Sequence, residues 1–353
     1  MKINSNKNVN SIFSKENISK NILPFYNLNN ATITLVKFKD TDKQRAVYKV
    51  DHNNKSYCLK KIYFSKEDLL YVYSAVEWLH RNGINVPNFI PSIDNNRFVE
   101  YNNMLFILTP WIEGFKCNFD DNKHLSMSIK ELSKFHKVAK NFFPIDGSSN
   151  RVSLENIYLS NTKHLEQLLL CSNIACKYKD SFSKSFLSKF ELNLELAKIS
   201  TEISSGINNT TLTKSLCHGD FVNKNILIAP DNKIWIIDFD KCRYDYCSHD
   251  IAYFMRRLLK RQSTNWNLAL TFQLLDEYNS ISPLNESDLK YIVSYISFPQ
   301  KYWKVSKDYY KSIPKSNKSS FVTLINKANL NIENHLNFSY NLVNELEKSN
   351  WQL

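Results

Sequence analysis

The chain has 353 residues and 41.4 kDa, 43% hydrophobic and 23% charged, an ordinary globular composition with length for two packed lobes. Its 22 Phe, 19 Tyr and 6 Trp exclude a disordered chain, and the longest strongly apolar stretch, Met104 to Ile112, is broken by Thr109 and Pro110 and is too short to cross a membrane. The net charge of +12 comes from lysines scattered among Asn, Ile and Tyr with no Arg-rich run, so nucleic acid is not an expected partner, whereas a basic cleft for phosphates is compatible with it.

In chain order, Met1 to Lys7 lacks the apolar core of a secretory signal. Residues 1–30 are polar and Asn-rich, with apolar patches at Ile12-Phe13 and Ile22 to Tyr26. They read as a loosely attached segment or an extra helix. From Ala31 the texture becomes β-branched: Ala31 to Lys39, Arg45 to Val50 and Lys55 to Tyr63 are three short strands, with a turn at Asp51 to Asn54. Ser65 with Asp68 gives the start of a helix whose apolar face is Leu69, Val72, Tyr73, Val76 and Leu79, and Gly83 stops it. Arg97 to Glu100 and Met104 to Leu108 are two more strands, followed by a connector from Thr109 to Gly114. Beyond about residue 120 the spacing is helical: Leu125, Ile129, Leu132, His136 and Ala139 share a face, 162–178 and 182–203 repeat the pattern, and one long helix spans about 319–348. A hairpin interrupts the helices, with Asn225 to Ile228 and Lys233 to Ile237 joined by a turn at Pro230-Asp231-Asn232.

That hairpin carries the chemistry. In a hairpin, the loop before the first strand and the residue after the second lie at the same end, so Asp220, Asn225 and Asp238 converge. Two carboxylates and an amide oxygen are hard ligands of the kind Mg²⁺ takes alongside phosphate oxygens. A carboxylate left off the metal can deprotonate a hydroxyl, which completes the working set for phosphoryl transfer. Upstream, Lys60 ends the third strand just before a helix, the place of a phosphate-touching lysine oriented by a helix glutamate. Glu77, beside the apolar face, is the first candidate for that partner and Glu67 the other.

His218-Gly219-Asp220 with Asn225, then Asp238-Phe239, then Asp250-Ile251-Ala252, resembles the aminoglycoside phosphotransferase and choline kinase branch of the protein-kinase-like fold. Lys49 to Lys60, Ala75 to Pro87, Leu108 to Gly114 with Trp111, and the Leu132 to His136 helix extend the likeness over most of the chain to the CotS-type spore-coat proteins of that superfamily. The resemblance implies an α+β, two-lobed fold: an N-terminal segment to 30, an antiparallel sheet lobe with one helix over 31–108, a hinge at 109–114, and a helical lobe with the hairpin over 115–353. It further implies Asp220 as catalytic base, Asn225 and Asp238 as metal ligands, Lys60 as phosphate anchor, Pro110, Trp111 and Ile112 as the adenine-binding hinge, and Asp250 as the brace of the catalytic loop. ATP and Mg²⁺ are the implied cofactors. Synthesis in the mother cell, deposition in the spore coat, and other coat proteins as partners follow from the same likeness. The alternative it leaves open is a structural coat protein on an inactive scaffold.

One departure is the turn from Lys39 to Gln44, which has no glycine where a phosphate-covering loop normally needs one. His218 reads as fixing its loop by hydrogen bonds rather than as an acid or base, and Asp240 with Lys241 as a surface pair. The seven cysteines, an odd number, fit reduced thiols. Cys217, His218, Cys242, Cys247 and His249 lack zinc-knuckle spacing, and the nearby acids suit magnesium better. Trp266, Tyr302, Trp303, Tyr309 and Tyr310 read as packing rather than a cage for a choline-like cation. The region 250–353, expected to build the acceptor pocket, offers only Asp276, Glu277, Glu286 and Asp288 as grouped acids. A polycationic aminoglycoside is therefore not the expected acceptor; a neutral or anionic hydroxyl acceptor is, whether a small molecule, a sugar or a coat polypeptide.

Overall fold

The computed structural model describes residues 12–39, 44–312 and 318–353; the glycine-free turn at 40–43 and residues 1–11 lie outside them. Helix α1 (Lys15–Asn21) and a 3-10 turn (Leu23–Tyr26) precede β1 (Thr32–Lys39), β2 (Arg45–His52) and β3 (Lys55–Lys61). Next come α2 (Lys66–Arg81), β4 (Val99–Tyr101), β5 (Met104–Pro110), β6 (Phe115–Lys116), α3 (Asn122–Ala139) and β7 (Val152–Ser153). Helices α4 (Ile157–Tyr178), α5 (Ser181–Leu187) and α6 (Phe190–Ser205) lead to β8 (Lys214–Cys217), β9 (Ile226–Ile228), β10 (Ile234–Ile236) and β11 (Arg243–Tyr246). The chain continues as α7 (Cys247–Leu259), α8 (Leu268–Asn279), α9 (Glu286–Ser297), α10 (Gln300–Lys311), α11 (Lys318–Ala328) and α12 (Ile332–Lys348). It divides into two compact units: one takes the chain to Cys117 with 141–151 and 223–242, the other takes 118–140, 152–222 and 243–353.

The first unit is built on an antiparallel sheet in the order β1-β2-β3-β5-β4. Two-residue turns close the β2–β3 and β4–β5 hairpins, with Asn53 and Asn54 at φ 47° and 60° and Asn102 and Asn103 at 49° and 57°. Positive φ at both turn residues matches the strand twist, and asparagine tolerates it better than other side chains that carry a Cβ. Strand β2 alternates, placing Ala46, Tyr48 and Val50 on a fully buried face with Leu59, Phe106 and Leu108. Of the two readings of the amino-terminal segment, residues 12–30 take the extra helix packed on the sheet: Ser14 caps α1, Ile18, Ile22 and Leu23 are wholly buried in that core, and the Tyr48 hydroxyl donates to the Phe13 carbonyl at 2.8 Å. Ser65 caps α2 as expected.

The hairpin β9–β10 was expected with the helical part, but it sorts with the sheet. Strand β6 pairs with β9, the Ile236 amide donates to the Asn85 carbonyl at 3.0 Å, and the Asn85 side chain donates to Ile234 at 3.1 Å. Gly114 makes that approach feasible: a Cβ on it would lie 2.5 Å from the Ile228 carbonyl oxygen.

The second unit is mainly helical around a small sheet, β7-β11-β8. Asn161 of α4 donates to Ser200 of α6 at 3.0 Å and Ser294 of α9 at 2.8 Å, a polar tie between buried helices. The expected long helix over 319–348 is two, α11 and α12. Asn329 between them is held by Asn193 at 3.1 Å and Ser185 at 3.4 Å, and Asn331 turns the chain at φ 57°. The carboxy-terminal aromatic residues pack, with Tyr302 and Tyr309 buried beside Phe186 and Phe182, and Trp266 stacked on His335 at 3.6 Å.

Asp288 is part of this packing. Fully buried, it accepts from the Thr213 amide (3.0 Å) and hydroxyl (2.7 Å) and from the Ser248 hydroxyl (2.8 Å). Asp288→Ala leaves three donors unpaired, one of them on wholly buried Ser248, and should lower the unfolding free energy in urea by about 2–4 kcal/mol. Glu286→Ala, losing only a surface pair with Lys290, should change it by less than about 1 kcal/mol.

Candidate active site

In the sheet unit, period-two alternation puts Lys60 on the face opposite buried Leu59. Its ammonium lies 2.8 Å from Asp238 Oδ1 and 2.6 Å from Asp240 Oδ1. Burial works to lower its pKa, but the two carboxylates outweigh that and hold it above the ordinary lysine value. The expected glutamate partner is corrected by this geometry: Glu77 pairs with Arg81 at 3.4 Å and Glu67 sits exposed at the start of α2. The two aspartates follow β10 in a tight turn, whereas Glu77 faces a cavity of about 300 Å³ with Tyr73, Phe89 and Arg97. Asp240 is likewise no surface residue. It is 7% exposed, its carbonyl accepts from Arg151 at 2.6 Å, and its Oδ2 is buried without a hydrogen-bond partner among the described residues.

Asp238 holds φ 68° and ψ 62°, a left-handed conformation that a non-glycine residue keeps only when its surroundings impose it. The Ile237 amide before it donates to the Asn225 carbonyl at 2.9 Å, so Asn225, itself 3% exposed, adjoins the turn. Asn225, Asp238 and Asp240 form a hard-oxygen donor set, and the unpartnered Oδ2 of Asp240 is the kind of atom a divalent cation satisfies. This set fits Mg²⁺. At the end of β5, Pro110 pairs with Tyr57, and the Trp111 amide donates to the Ser56 carbonyl at 3.0 Å. That amide is therefore taken by the sheet, and Ile112 leads on toward Gly114.

In the helical unit, β8 delivers His218-Gly219-Asp220. Asp250, from the first turn of α7, is fully buried and accepts the His218 amide at 2.6 Å and the Gly219 amide at 2.9 Å. Gly219 sits at φ 71°, which turns the loop so that two successive amides reach one carboxylate. The Asp220 amide donates to His218 Nδ1 at 3.2 Å. Asp220 is 6% exposed, and its Oδ1 accepts from the Tyr253 hydroxyl at 3.2 Å, which in turn accepts from Arg257 at 2.7 Å. His136 backs Asp250 at 3.5 Å and meets the Tyr278 hydroxyl at 2.8 Å. Burial works to raise the Asp250 pKa, but His136, His218 and His249 bring it down to about 2. The cysteine and histidine set resolves differently from its sequence order: His136, Cys217 and Cys247 have their ligand atoms within 4.8 Å of one another, without His218, Cys242 or His249.

Sequence reasoning missed Asp240, Arg151, Tyr253 and Arg257. The signal for Tyr253 was its spacing, three residues beyond Asp250 on the same helix. Asp240 lay two residues beyond Asp238 but was assigned to solvent.

A family model described as "Spore coat putative kinase YutH" matches residues 35–339. The chain belongs to this spore-coat family. It is 24% identical over 231 residues, 65% of its length, to homoserine kinase of Bartonella henselae, and spans 66% of that kinase, just under two thirds. An aminoglycoside phosphotransferase from Alicyclobacillus acidocaldarius superposes with a TM-score of 0.76 at 16% identity, covering 92% of this chain and 95% of that one. A spectinomycin phosphotransferase solved with ADP and spectinomycin gives 0.63 at 18% identity, covering 93% and 98%. An amicoumacin kinase with AMP-PNP and Ca²⁺ gives 0.62 at 16%, covering 93% and 95%. These likenesses establish the kinase-like α+β fold. No helix among the described residues is long and apolar enough to cross a membrane.

Asp250 yields a pH prediction. Its folded pKa lies below its unfolded one, so its stabilisation is complete above about pH 4 and lost as pH falls through about 2. The stability gap between wild type and Asp250→Asn in urea should shrink by about 2 kcal/mol from pH 5 to pH 2. A gap independent of pH would show that folding does not lower the Asp250 pKa.

Proposed function

We propose that this protein is an ATP- and Mg²⁺-dependent phosphotransferase that phosphorylates a hydroxyl of a small molecule, acting in the mother cell and on the forming spore coat among other coat proteins. The observation that carries the reading is the Lys60 ammonium held 2.8 and 2.6 Å from Asp238 and Asp240, beside Asn225. A lysine and a hard-oxygen set are what a triphosphate with its cation requires.

Lys60 then serves the α- and β-phosphates while Asn225 and Asp238 hold the cation, with Asp240 as a second carboxylate beside them. Bound Mg²⁺ neutralises charge on the phosphate oxygens. Residues 110–112 take the adenine. Asp220 accepts the proton of the acceptor hydroxyl, whose oxygen forms the new O–P bond as the bridging oxygen leaves with ADP. Tyr253 orients the Asp220 carboxylate, and Asp250 keeps the loop in place through two backbone amides. The glycine-free turn from Lys39 to Gln44 is the one feature on the side of an inactive scaffold, while Lys60, Asp220, Asn225 and Asp238 are each of the residue type that phosphoryl transfer asks for. The acids expected around an acceptor argue against a polycation: Asp288 is buried in packing and Glu286 is paired with Lys290.

With a dissociation constant near ~100 μM, ~10 mM Mg-ATP should stabilise the chain by about 2.7 kcal/mol in a thermal shift. Lys60→Met and Asp238→Ala should each abolish the shift. Asp220→Asn should keep it while lowering turnover about 10²–10⁴-fold. An equal shift in Asp238→Ala, or none in wild type, would sink the reading.

A further inference from the structure

The face of α7 beyond Asp220 carries a row of cations that the mechanism above leaves without a task. Arg257 donates to the Tyr253 hydroxyl at 2.7 Å, with its guanidinium 4.9 Å from that ring, and the same hydroxyl donates to Asp220 Oδ1 at 3.2 Å. Arg256 lies 5.9 Å from the Tyr295 ring, and its Nε is buried with no hydrogen-bond partner among the described residues. Lys260 is exposed on the next turn. Three and four residues on from Arg257 and Arg256, it shares their end of α7, and although its side chain reaches solvent, partial desolvation and then the charges of Arg256, Arg257 and Lys301 bring its pKa down to about 8. None of the four is ion-paired with a carboxylate among the described residues; the acids that line other faces of this unit, Asp120, Asp245 and Glu286, go to Arg261, Arg243 and Lys290.

Uncompensated cations repel one another, and a fold keeps them together at little cost only if an anion sits among them for part of its working cycle. The place matters. The cluster is joined to the proposed base through one tyrosine hydroxyl, so an anionic group held there lies one short side chain from a hydroxyl at Asp220.

We propose that the acceptor is a small hydroxyl compound bearing a phosphate or carboxylate group, which Arg256, Arg257 and Lys260 bind while Asp220 receives the hydroxyl proton. This deepens the phosphotransferase reading and rests on it. Atoms balance as in any such transfer: the acceptor O–H gives its proton to Asp220, its oxygen bonds to the γ-phosphorus, and ADP leaves with the bridging oxygen.

Matched three-carbon probes test it by titration calorimetry on the full chain without nucleotide at constant ionic strength: glycerol, glycerate and glycerol 3-phosphate. At least one anion should bind ten times or more tighter than glycerol. Arg257→Gln with Lys260→Gln, or Lys260→Gln alone at an exposed position, should weaken that binding at least tenfold, whereas Lys60→Met should keep it. Binding of glycerol 3-phosphate alone assigns a phosphomonoester, and binding of glycerate alone a carboxylate. No anion binding, equal binding of all three, or loss in Lys60→Met with retention in the Arg257→Gln, Lys260→Gln variant overturns the proposal. Mg-ATP binding on the same samples separates the two readings: its absence beside intact anion binding counts against phosphotransfer and not against this site.

Discussion

A cation on a sheet cannot be buried without counter-charge, and in this protein Lys60 obtains it from two carboxylates on the turn after β10. That demand reaches outward. The turn must bring Asp238 and Asp240 to the same ammonium, which holds Asp238 in a left-handed backbone conformation and buries Asp240. It also requires the hairpin to be fixed against the sheet unit, a role taken by β6, by the Asn85 bonds and by Gly114, where any side chain would collide with Ile228. Arg151 completes the anchorage at the Asp240 carbonyl. Removing Lys60 would leave two acids with no cation, so the lysine and the acids stand together.

Asp250 imposes the corresponding order on the helical unit. One buried carboxylate accepts two successive amides, and Gly219 alone in that loop has the freedom to turn them both toward it. The chain has only five glycines, and four occur at positive φ. Asparagine takes left-handed positions in the β2–β3 and β4–β5 turns and at the break before α12. Glycine scarcity therefore removed little conformational freedom, because asparagine pays a smaller steric penalty there than other residues with a Cβ.

The strands, α2 and the hairpin were legible because each rests on local signals: alternation, a capping serine, and paired turn residues. Asp220, Asn225, Asp238 and Asp250 were legible as a spaced motif. What was not legible depended on long-range packing. The partner of Lys60 comes from far along the chain, so helix spacing pointed instead to Glu77. Asp240 beside Lys241 looked like a surface pair because sequence adjacency says nothing of burial. The residues 12–30 lacked a periodic pattern, yet Ile18, Ile22 and Leu23 are wholly buried. The break at Asn329 to Asn331 was hidden because the apolar spacing continues across it, while the constraint comes from Asn193 and Ser185 on other helices.

In the proposed function, Asn225, Asp238 and Asp240 hold a divalent cation on a nucleotide. Electron paramagnetic resonance counts free Mn²⁺ directly, and Mn²⁺ shares the hard-oxygen preference of Mg²⁺. In the presence of AMP-PNP, the wild-type chain should remove Mn²⁺ from solution, and Asp238→Asn should bind it at least tenfold more weakly. Mn²⁺ retention that is unchanged in Asp238→Asn, or absent in the wild type, would contradict the account.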